Sequence, residues 1–248
     1  MDLHKELIEL IQAKTGEANQ ADFYRKPLIG FSSASDPLYA KLKEVVGPHH
    51  LRPEEILPDV KTIISFFLPF SLKVVEANRR EPDFPAREWV DSYAHANNLI
   101  DQIGLDLVSL MNARGFKAAL VKATKNYDPE TLKAPWSHRS AAFVAGLGRF
   151  GLNRMLITPA GGAGRYGTVL ISAEIPPSAS PEEELCLFWK NGSCRYCLEH
   201  CPVKALGDDK FDRQACQQKL LALSPYADSL KWGQDVCGKC AMGPCAIF

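Results

Sequence analysis

The cysteines of this chain are confined to its last quarter, at spacings that suit metal binding. The sequence contains eight cysteines, and none precedes Cys186. Two residues separate Cys194 from Cys197, and the same spacing joins Cys237 to Cys240. Such a pair lies on one tight turn, so both sulfurs can reach the same metal centre. Thiolates at these spacings therefore predict metal ligands rather than inert side chains.

A proline after one of the cysteines makes the metal more specific. Cys201 is followed by Pro202, and in ferredoxins with two four-iron clusters the cysteine before a proline serves the other cluster of the pair. Eight cysteines satisfy two such sites with none left over. This crossing rule assigns a first set, Cys186, Cys194, Cys197 and Cys245, and a second set, Cys201, Cys216, Cys237 and Cys240. Each set is expected to hold one [4Fe-4S] cluster.

Cys186 departs from the usual spacing within the first set. Seven residues separate it from Cys194, whereas the usual pattern would place that ligand at position 191, which is Asn191 here. Without Cys186, the first set would lack its fourth thiolate. The count of ligands therefore favours Cys186.

Structural zinc is the main alternative to iron–sulfur clusters. Paired C-x2-C motifs also hold zinc, but Cys197 and Cys237 lie farther apart than zinc ribbons space their pairs. The Cys-Pro dipeptide is also typical of ferredoxins. Clusters are therefore favoured over zinc, and inert thiols are favoured least.

Composition limits the classes of function. Lys+Arg and Asp+Glu both number 29, so the formal net charge is +0, whereas proteins that bind phosphate backbones usually carry a basic excess. Nucleic-acid binding is therefore not expected. The N-terminus has no apolar run long enough for a signal peptide, and the most apolar stretch, 62–70, is too short to cross a bilayer. We expect a soluble cytoplasmic protein without a membrane partner, and clustered thiols suit that reducing compartment.

The first part of the chain alternates between helical and strand patterns. The long segment Arg87–Arg114 carries an apolar stripe at steps of three and four, ending before Gly115, and predicts the clearest helix. Further helices are expected over 2–14 and from Asp36-Pro37 to Gly47-Pro48. Strands are expected at 61–69, 118–123 and 166–175. The Pro-punctuated segment 71–86 is expected to be a loop.

A change of composition predicts the domain boundary. Residues 175–184 (IPPSASPEEE) mix Pro, Ser and acid, which is typical of a linker. We therefore expect an α+β domain over 1–178, followed by a small cysteine-rich domain over 179–248.

The glycine pattern GLGRFG, formed by Gly146, Gly148 and Gly151, matches the dinucleotide-binding fingerprint as a string. That motif needs a long helix directly after it, so that the pyrophosphate meets the helix N-terminus. Here Thr158-Pro159 and Gly161-Gly162 follow within a few residues. We therefore decline the nucleotide interpretation, and close approach of the loop to another large ligand remains open.

These motifs together resemble a known family. GLGRFGLNRMLITP (146–159), a following strand and the Cys-Pro segment resemble the epoxyqueuosine reductases and, more distantly, the corrinoid-dependent reductive dehalogenases. LRPEEILPDVKTIISFFLPF (51–70) is similar to the N-terminal part of the same family. The resemblance implies a domain like those of flavin nitroreductases and cobalamin-processing proteins, with a two-cluster ferredoxin-like domain packed against it. It also implies that the clusters pass electrons to cobalamin, or less favourably to flavin.

Three departures qualify the resemblance. Leu132 stands where the reductases carry a catalytic Asp, and an aliphatic side chain cannot donate a proton. The family's Cys-x3-Cys-Pro ending is Cys240-x4-Cys245 here, with Pro244 before the sulfur. Epoxyqueuosine reductases also continue into a helical-repeat region that contributes to tRNA binding, whereas this sequence ends at Phe248. With the neutral charge, this leads us to expect a substrate other than tRNA.

Several residues are candidates for the site in the first domain. Asp128, Glu130 or Tyr127 could supply a proton near Leu132, although a turn is the alternative role for Tyr127 and Asp128. His138 and Arg139 could bind an anionic substrate or a cofactor side chain, or could equally form a solvated loop pair. The resemblance adds Arg165 and the loop glycines Gly146, Gly148 and Gly151 as cofactor-binding residues.

Two hypotheses for the function follow. The first is an iron–sulfur oxidoreductase that takes electrons from a ferredoxin or flavodoxin and reduces a small-molecule or nucleoside-like substrate. The alternative is a non-catalytic electron-transfer protein that docks on a partner oxidoreductase. Leu132 favours the alternative, whereas the size of the first domain favours the enzyme.

Overall fold

The computed structural model describes residues 2–19, 21–122, 127–128, 130–229 and 236–248. Its helices and strands are, in chain order, α1 (Leu3–Glu17), β1 (Leu28–Ser33), α2 (Pro37–Val45), α3 (Pro53–Ile56), β2 (Thr62–Pro69), α4 (Leu72–Arg80), α5 (Arg87–Ala113), β3 (Ala118–Val121), α6 (His138–Val144), β4 (Arg149–Phe150), β5 (Leu156–Ile157), β6 (Gly164–Ile171), α7 (Leu187–Asn191), α8 (Tyr196–Glu199) and α9 (Arg213–Ser229). Two 3₁₀ turns follow, Lys239–Ala241 and Pro244–Ala246. The chain thus mixes helices with strands, as the sequence predicts.

A four-stranded antiparallel sheet forms the centre of the fold, in the order β1-β2-β6-β3. In the register, Leu28 lies opposite Phe67, and Thr62 lies opposite Ile171. Every residue of β2 is buried, which explains why its sequence is a continuous run of apolar and β-branched residues without polar alternation. The strand predicted at 61–69 is confirmed.

The long helix α5 packs across the sheet with its predicted apolar stripe. Trp89, Ile100, Ile103 and Leu107 are buried in the main core. At Gly104, an added Cβ would lie 2.2 Å from the Leu120 side chain, so the absence of a side chain lets α5 approach β3 closely. The helix ends at Ala113, one residue before the predicted end, and Gly115 adopts a φ of 80°.

The prediction of a loop over 71–86 is wrong, because half of this segment is the helix α4. Ser71 caps the helix by accepting a hydrogen bond from the Val74 amide, and Val74 and Val75 are buried against the core. Both prolines of the segment, Pro82 and Pro85, follow the last helical residue, so they end the helix without interrupting it. The strand predicted at 118–123 forms over Ala118–Val121, and residue 123 lies outside the described residues. The strand predicted at 166–175 forms over Gly164–Ile171.

The last segment of the chain packs into the main core. Val236, Ala241, Met242 and Ala246 belong to the same buried cluster as α5 and β2. Two main-chain hydrogen bonds dock this segment beside the start of β6: the Gly162 amide donates to the Cys245 carbonyl at 2.8 Å, and the Ala163 amide donates to the Ala246 carbonyl at 3.0 Å. The two-domain division at residues 178 and 179 stays a prediction.

No helix in the described part of the chain is both long enough and apolar enough to cross a membrane.

Packing against the chain's own atoms accounts for the glycine pattern. An added Cβ would lie 2.5 Å from the Ala179 carbonyl oxygen at Gly146, and 2.1 Å from the Ile157 carbonyl oxygen at Gly148. At Gly151 it would lie 2.5 Å from the Ile157 side chain. The loop is therefore pressed against β5 and the segment after β6. Contact of these glycines with a cofactor stays a prediction.

We expect Gly148→Ala to destabilise the protein by about 1–3 kcal/mol, because the new methyl group must displace a backbone carbonyl and cannot find space by rotating. The measurement is the free energy of unfolding in urea. Gly16→Ala is the control: Gly16 lies in α1 with nothing within 4 Å of an added Cβ, so it should stabilise by about 0.5–1 kcal/mol. Equal stability of Gly148→Ala and the parent would contradict the close approach.

Candidate metal centre and cofactor cleft

The four cysteines of the first set line one cavity, together with Cys240 of the second set. Their positions come from separate elements. Cys186 is the N-cap residue of α7, Cys197 lies within α8, and Cys245 lies in the last 3₁₀ turn. The structure therefore brings together four thiols that span 60 residues of sequence.

The glycine loop forms another wall of the same cavity. Leu152 and Asn153, which follow Gly151 directly, both line it. The Leu152 amide donates a hydrogen bond to Cys186 Sγ at 3.5 Å. Asn153 Nδ2 donates to the Cys240 carbonyl at 3.1 Å, so this residue joins the first set to the second. The close packing of the loop glycines thus positions a donor beside a thiol.

The cysteines of the second set also lie near one another. Burial raises the pKa of the Cys216 thiol, and the neighbouring Cys237 and Cys201 raise it further. Burial likewise raises the pKa of Cys240 to about 12, with Cys237, Cys216 and Cys201 as further causes. Cys201 itself accepts a hydrogen bond from the Ala205 amide at 3.2 Å. Cys197 of the first set also contributes to the raised pKa of Cys240, and the assignment of ligands to the two sets stays a prediction.

Burial raises the pKa of Cys197 to about 11 and that of Cys245 to about 12, and in both cases the other thiols of the first set add to the effect. None of the eight cysteines forms a disulfide. Clustered thiols suit a cationic centre, because metal binding replaces the thiol protons and offsets the repulsion between thiolates.

Within the described ranges, no group of three or more His, Cys, Asp or Glu side chains is arranged to hold one metal ion. A zinc site would need four ligands at about 2.0–2.3 Å from one point. The choice between zinc and [4Fe-4S] clusters for the cysteine sets stays a prediction.

Helix α4 holds the C-x2-C turn of the second set. The buried Asn78 side chain donates to the Cys237 carbonyl at 3.2 Å. Lys239 Nζ donates to the Asn78 carbonyl at 2.7 Å and to Asn78 Oδ1 at 2.9 Å. Burial lowers the pKa of Lys239, and the nearby Cys237 opposes this effect. The turn is therefore fixed to α4 through buried polar contacts.

Arg139 and Arg165 lie near each other and near the second set. Arg139 is exposed and donates to the Arg154 carbonyl at 3.1 Å. Surrounding protein atoms nevertheless lower its pKa, and the next largest cause is the nearby Arg165. Arg165 Nε donates to Asn97 Oδ1 at 2.9 Å, and its guanidinium lies 4.3 Å from the centre of the Tyr93 ring. Solvent reaches both guanidinium groups, although protein atoms surround them in part. Such a pair of cations suits an anionic ligand.

His138 is engaged at both ring nitrogens. Nε2 bonds the Lys122 carbonyl at 3.0 Å and Nδ1 bonds Thr168 Oγ1, which also accepts from Trp136 Nε1 at 3.0 Å. Burial lowers the pKa of His138 to about 4, so the ring is neutral at neutral pH. Nε2 then donates and Nδ1 accepts. These contacts give His138 a structural role, which is to hold the start of α6 in place. A catalytic role for His138 stays a prediction.

The loop around Leu132 is an exposed turn. Asp128 Oδ1 accepts hydrogen bonds from the Thr131 amide at 2.7 Å and the Glu130 amide at 3.2 Å. The Thr131 bonds hold the pKa of Asp128 below its ordinary value, and Tyr127 is exposed beside it. Leu132 itself has a φ of 55°, a strained conformation for a residue with a side chain. Tyr127 and Asp128 thus take the turn role, and their catalytic roles stay predictions.

Sequence reasoning did not select several residues that the site uses. The sequence offers one indication for Leu152 and Asn153, which is their position directly after the glycine pattern. Lys239 also had one, since it lies inside a C-x2-C turn. Asn78 had none, because its contacts with Lys239 join positions 161 residues apart in sequence.

A comparison with curated proteins finds one relative related in sequence. The chain is 28% identical to an epoxyqueuosine reductase of Lactococcus garvieae (strain Lg2) over 236 residues, covering 84% of this chain and 63% of the relative. The chain therefore spans less than two thirds of that protein's length. No protein-family model matches the sequence.

Solved structures with the same fold belong to two enzyme classes. An epoxyqueuosine reductase in complex with an epoxyqueuosine-modified tRNA stem loop aligns with a TM-score of 0.51 and 20% identity, covering 86% of this chain and 57% of that one. A reductive dehalogenase whose structure suggests a mechanism for B12-dependent dehalogenation aligns with a TM-score of 0.61 and 16% identity, covering 88% and 29%. These findings confirm the resemblance predicted from the motifs.

We expect the cluster-free protein to lose stability as the pH rises above about 9. The pKa values of Cys197, Cys240 and Cys245 are raised in the folded chain. A raised pKa contributes stability below the unfolded value, and this contribution is lost as the pH rises towards the folded value. Unfolding in urea after chelator treatment, at about pH 7.5 and about pH 9.5, measures the loss. Cys240→Ser is the control, and a loss as large in this variant as in the parent would contradict the explanation.

Proposed function

We propose that this chain is an iron–sulfur oxidoreductase related in activity to the epoxyqueuosine reductases. Two [4Fe-4S] clusters, held in a ferredoxin-like arrangement by residues 179–248, pass electrons to a second cofactor in the 1–178 domain. Cobalamin is favoured over flavin for that cofactor. A ferredoxin or flavodoxin supplies the electrons, and the substrate is a small-molecule or nucleoside-like compound.

The observation that supports this proposal is the grouping of the eight thiols. Each set contributes four sulfurs, and the sets adjoin each other through Asn153 and Cys240. Arg139 lies near the second set, since it donates to the Arg154 carbonyl and the adjacent Asn153 donates to the Cys240 carbonyl. Clusters bound at the two sets would then supply electrons close to Arg139.

The chain's own residues hold and orient the reacting groups. When bound, the clusters supply single electrons and the corrinoid supplies a cobalt centre that can be reduced. Amide donors from Leu152 and Ala205 stabilise negative charge on the sulfurs of Cys186 and Cys201. Arg139 and Arg165 bind anionic groups of the cofactor or substrate. Neutral His138 keeps α6, and with it Arg139, in place.

A non-catalytic electron carrier is the second candidate function. It is favoured by Leu132 at the position of the family's acid, because no carboxyl group is available there. Asp128 is a poor substitute as a proton donor, since its lowered pKa leaves it ionised at neutral pH. A proton would then come from the substrate or from solvent.

Replacing one cysteine of either set should remove one cluster. Cys197→Ser and Cys216→Ser should each lower iron and sulfide from about eight of each per chain to about four. Anaerobic purification with iron, sulfide, cobalt and zinc quantified together is the measurement. Ser193→Ala is the control, because it alters an exposed residue beside Cys194. About one zinc per set and no iron would contradict the proposal.

Arg139→Gln should weaken corrinoid binding by about tenfold or more, because it removes a charge-assisted hydrogen bond donor. Anaerobic titration with cob(II)alamin, followed by its visible spectrum, measures the affinity. Arg80→Gln is the control, since Arg80 is an exposed arginine at the end of α4.

The same titration separates the two candidate functions. The titration is repeated with flavin mononucleotide and with an epoxyqueuosine-modified tRNA stem loop. A chain that holds both clusters but binds neither corrinoid nor flavin is the electron carrier. Binding of the stem loop would make the substrate a modified tRNA, contrary to the expectation drawn from the charge.

A further inference from the structure

Trp89 has a polar atom that lacks a partner. The residue lies in the first turn of α5 and is 5% exposed, with its ring edge-on to Phe70 at 5.0 Å between ring centres. Its indole nitrogen Nε1 is buried and has no hydrogen-bond partner among the described residues. Leaving a buried donor unsatisfied costs about 1–3 kcal/mol. Such a group in a well-packed core indicates a partner that is not a protein atom.

The indole nitrogen lies against the C-x2-C turn of the second set. An added Cβ on Gly238 would lie 2.6 Å from Trp89 Nε1 and 2.4 Å from its Cε2 carbon. Gly238 stands between Cys237 and Cys240, and its φ of 77° favours glycine independently. The edge of the indole that carries the N–H therefore rests on the backbone between two of the proposed cluster ligands.

The turn cannot move away from the indole without breaking other buried contacts. Asn78 bonds both Cys237 and Lys239, and its Oδ1 also accepts from the Ala86 amide at 3.0 Å. Ala86 is the N-cap residue of α5, three residues before Trp89. One buried amide thus ties the cysteine turn to the start of the helix that carries the indole.

We propose that the Trp89 indole N–H donates a hydrogen bond to a sulfur of the second cluster, either a cysteine thiolate or an inorganic sulfide. This inference rests on the proposed function, since it needs a cluster in the second set. A donor to sulfur stabilises the more negative, reduced state of the cluster and so raises its reduction potential. Trp89, a residue of α5, thus tunes the reduction potential of the second cluster.

The test uses the full chain with both clusters, prepared anaerobically. Trp89→Phe keeps the aromatic ring and removes the N–H. It should lower the reduction potential of the second cluster, with the reduction equilibrium shifting about tenfold, or 59 mV for one electron. The first cluster should not move. A redox titration followed by electron paramagnetic resonance measures both potentials.

Trp136→Phe is the matched control. It removes the N–H of another buried indole, whose Nε1 donates to Thr168 Oγ1 at 3.0 Å. Both potentials should stay at the parent's values in this variant. An equal shift in Trp136→Phe and Trp89→Phe would overturn the inference, because the effect would then follow from general loosening of the core.

If the Trp89→Phe protein does not bind the second cluster, two further measurements test the inference. Replacement of Trp89 by benzothienylalanine keeps the shape of the ring and removes only the N–H, and the same lowering is expected. Labelling with indole-¹⁵N should also give a hyperfine coupling to the reduced second cluster, read in Cys197→Ser, which keeps that cluster alone. Absence of this coupling overturns the inference.

The outcomes separate this inference from the proposed function. Full iron content with both potentials unchanged in Trp89→Phe and in the benzothienylalanine protein overturns the tuning role and leaves the clusters in place. Parent protein that contains no iron after anaerobic purification overturns the proposed function, and the inference fails with it.

Discussion

The arrangement of the cysteines depends on main-chain pairing between the tail and the sheet. The amides of Gly162 and Ala163 donate to the carbonyls of Cys245 and Ala246, just where β6 begins. Because β6 is an inner strand paired with both β2 and β3, it cannot shift without breaking two ladders. These two hydrogen bonds therefore fix the position of Cys245, a member of the first set, relative to the sheet.

Polar side chains likewise fix the position of the main chain around the second set. Asn78 binds the main chain at Cys237, Asn153 binds it at Cys240, and Arg79 Nε donates to the Met242 carbonyl at 2.9 Å. Side-chain donors thus satisfy tail carbonyls that no regular strand or helix pairs. Side chains from α4 and from the segment after the glycine loop therefore hold the tail at several points, which suits a group that tolerates little movement of its ligands.

Local patterns predicted the parts of the fold that depend on neighbours in sequence. The stripe of α5, the buried strand β2 and the Asp36-Pro37 start of α2 needed only periodicity and capping. The segment 71–86 begins with a helix because Ser71 caps it and both prolines follow its last residue, whereas its proline content favours a loop. Ligand count and the Cys-Pro rule restrict the pairings of the cysteines, and their assignment to two sets stays a prediction. The contacts of Asn78, Trp89 and Leu152 could not be predicted, since each joins segments that only tertiary packing brings together.

The second proposed ligand set lies in sequence wholly between Cys197 and Cys245 of the first set, and this order has a consequence for biosynthesis. The first set takes Cys186, Cys194 and Cys197 from one side of Cys216 and Cys245 from the other, while the second set ends at Cys240. During translation, neither quartet of thiols is therefore complete until Cys240 has been added, when residues 1–178 have already been synthesised. Any cluster insertion would then follow the synthesis of every strand of the central sheet.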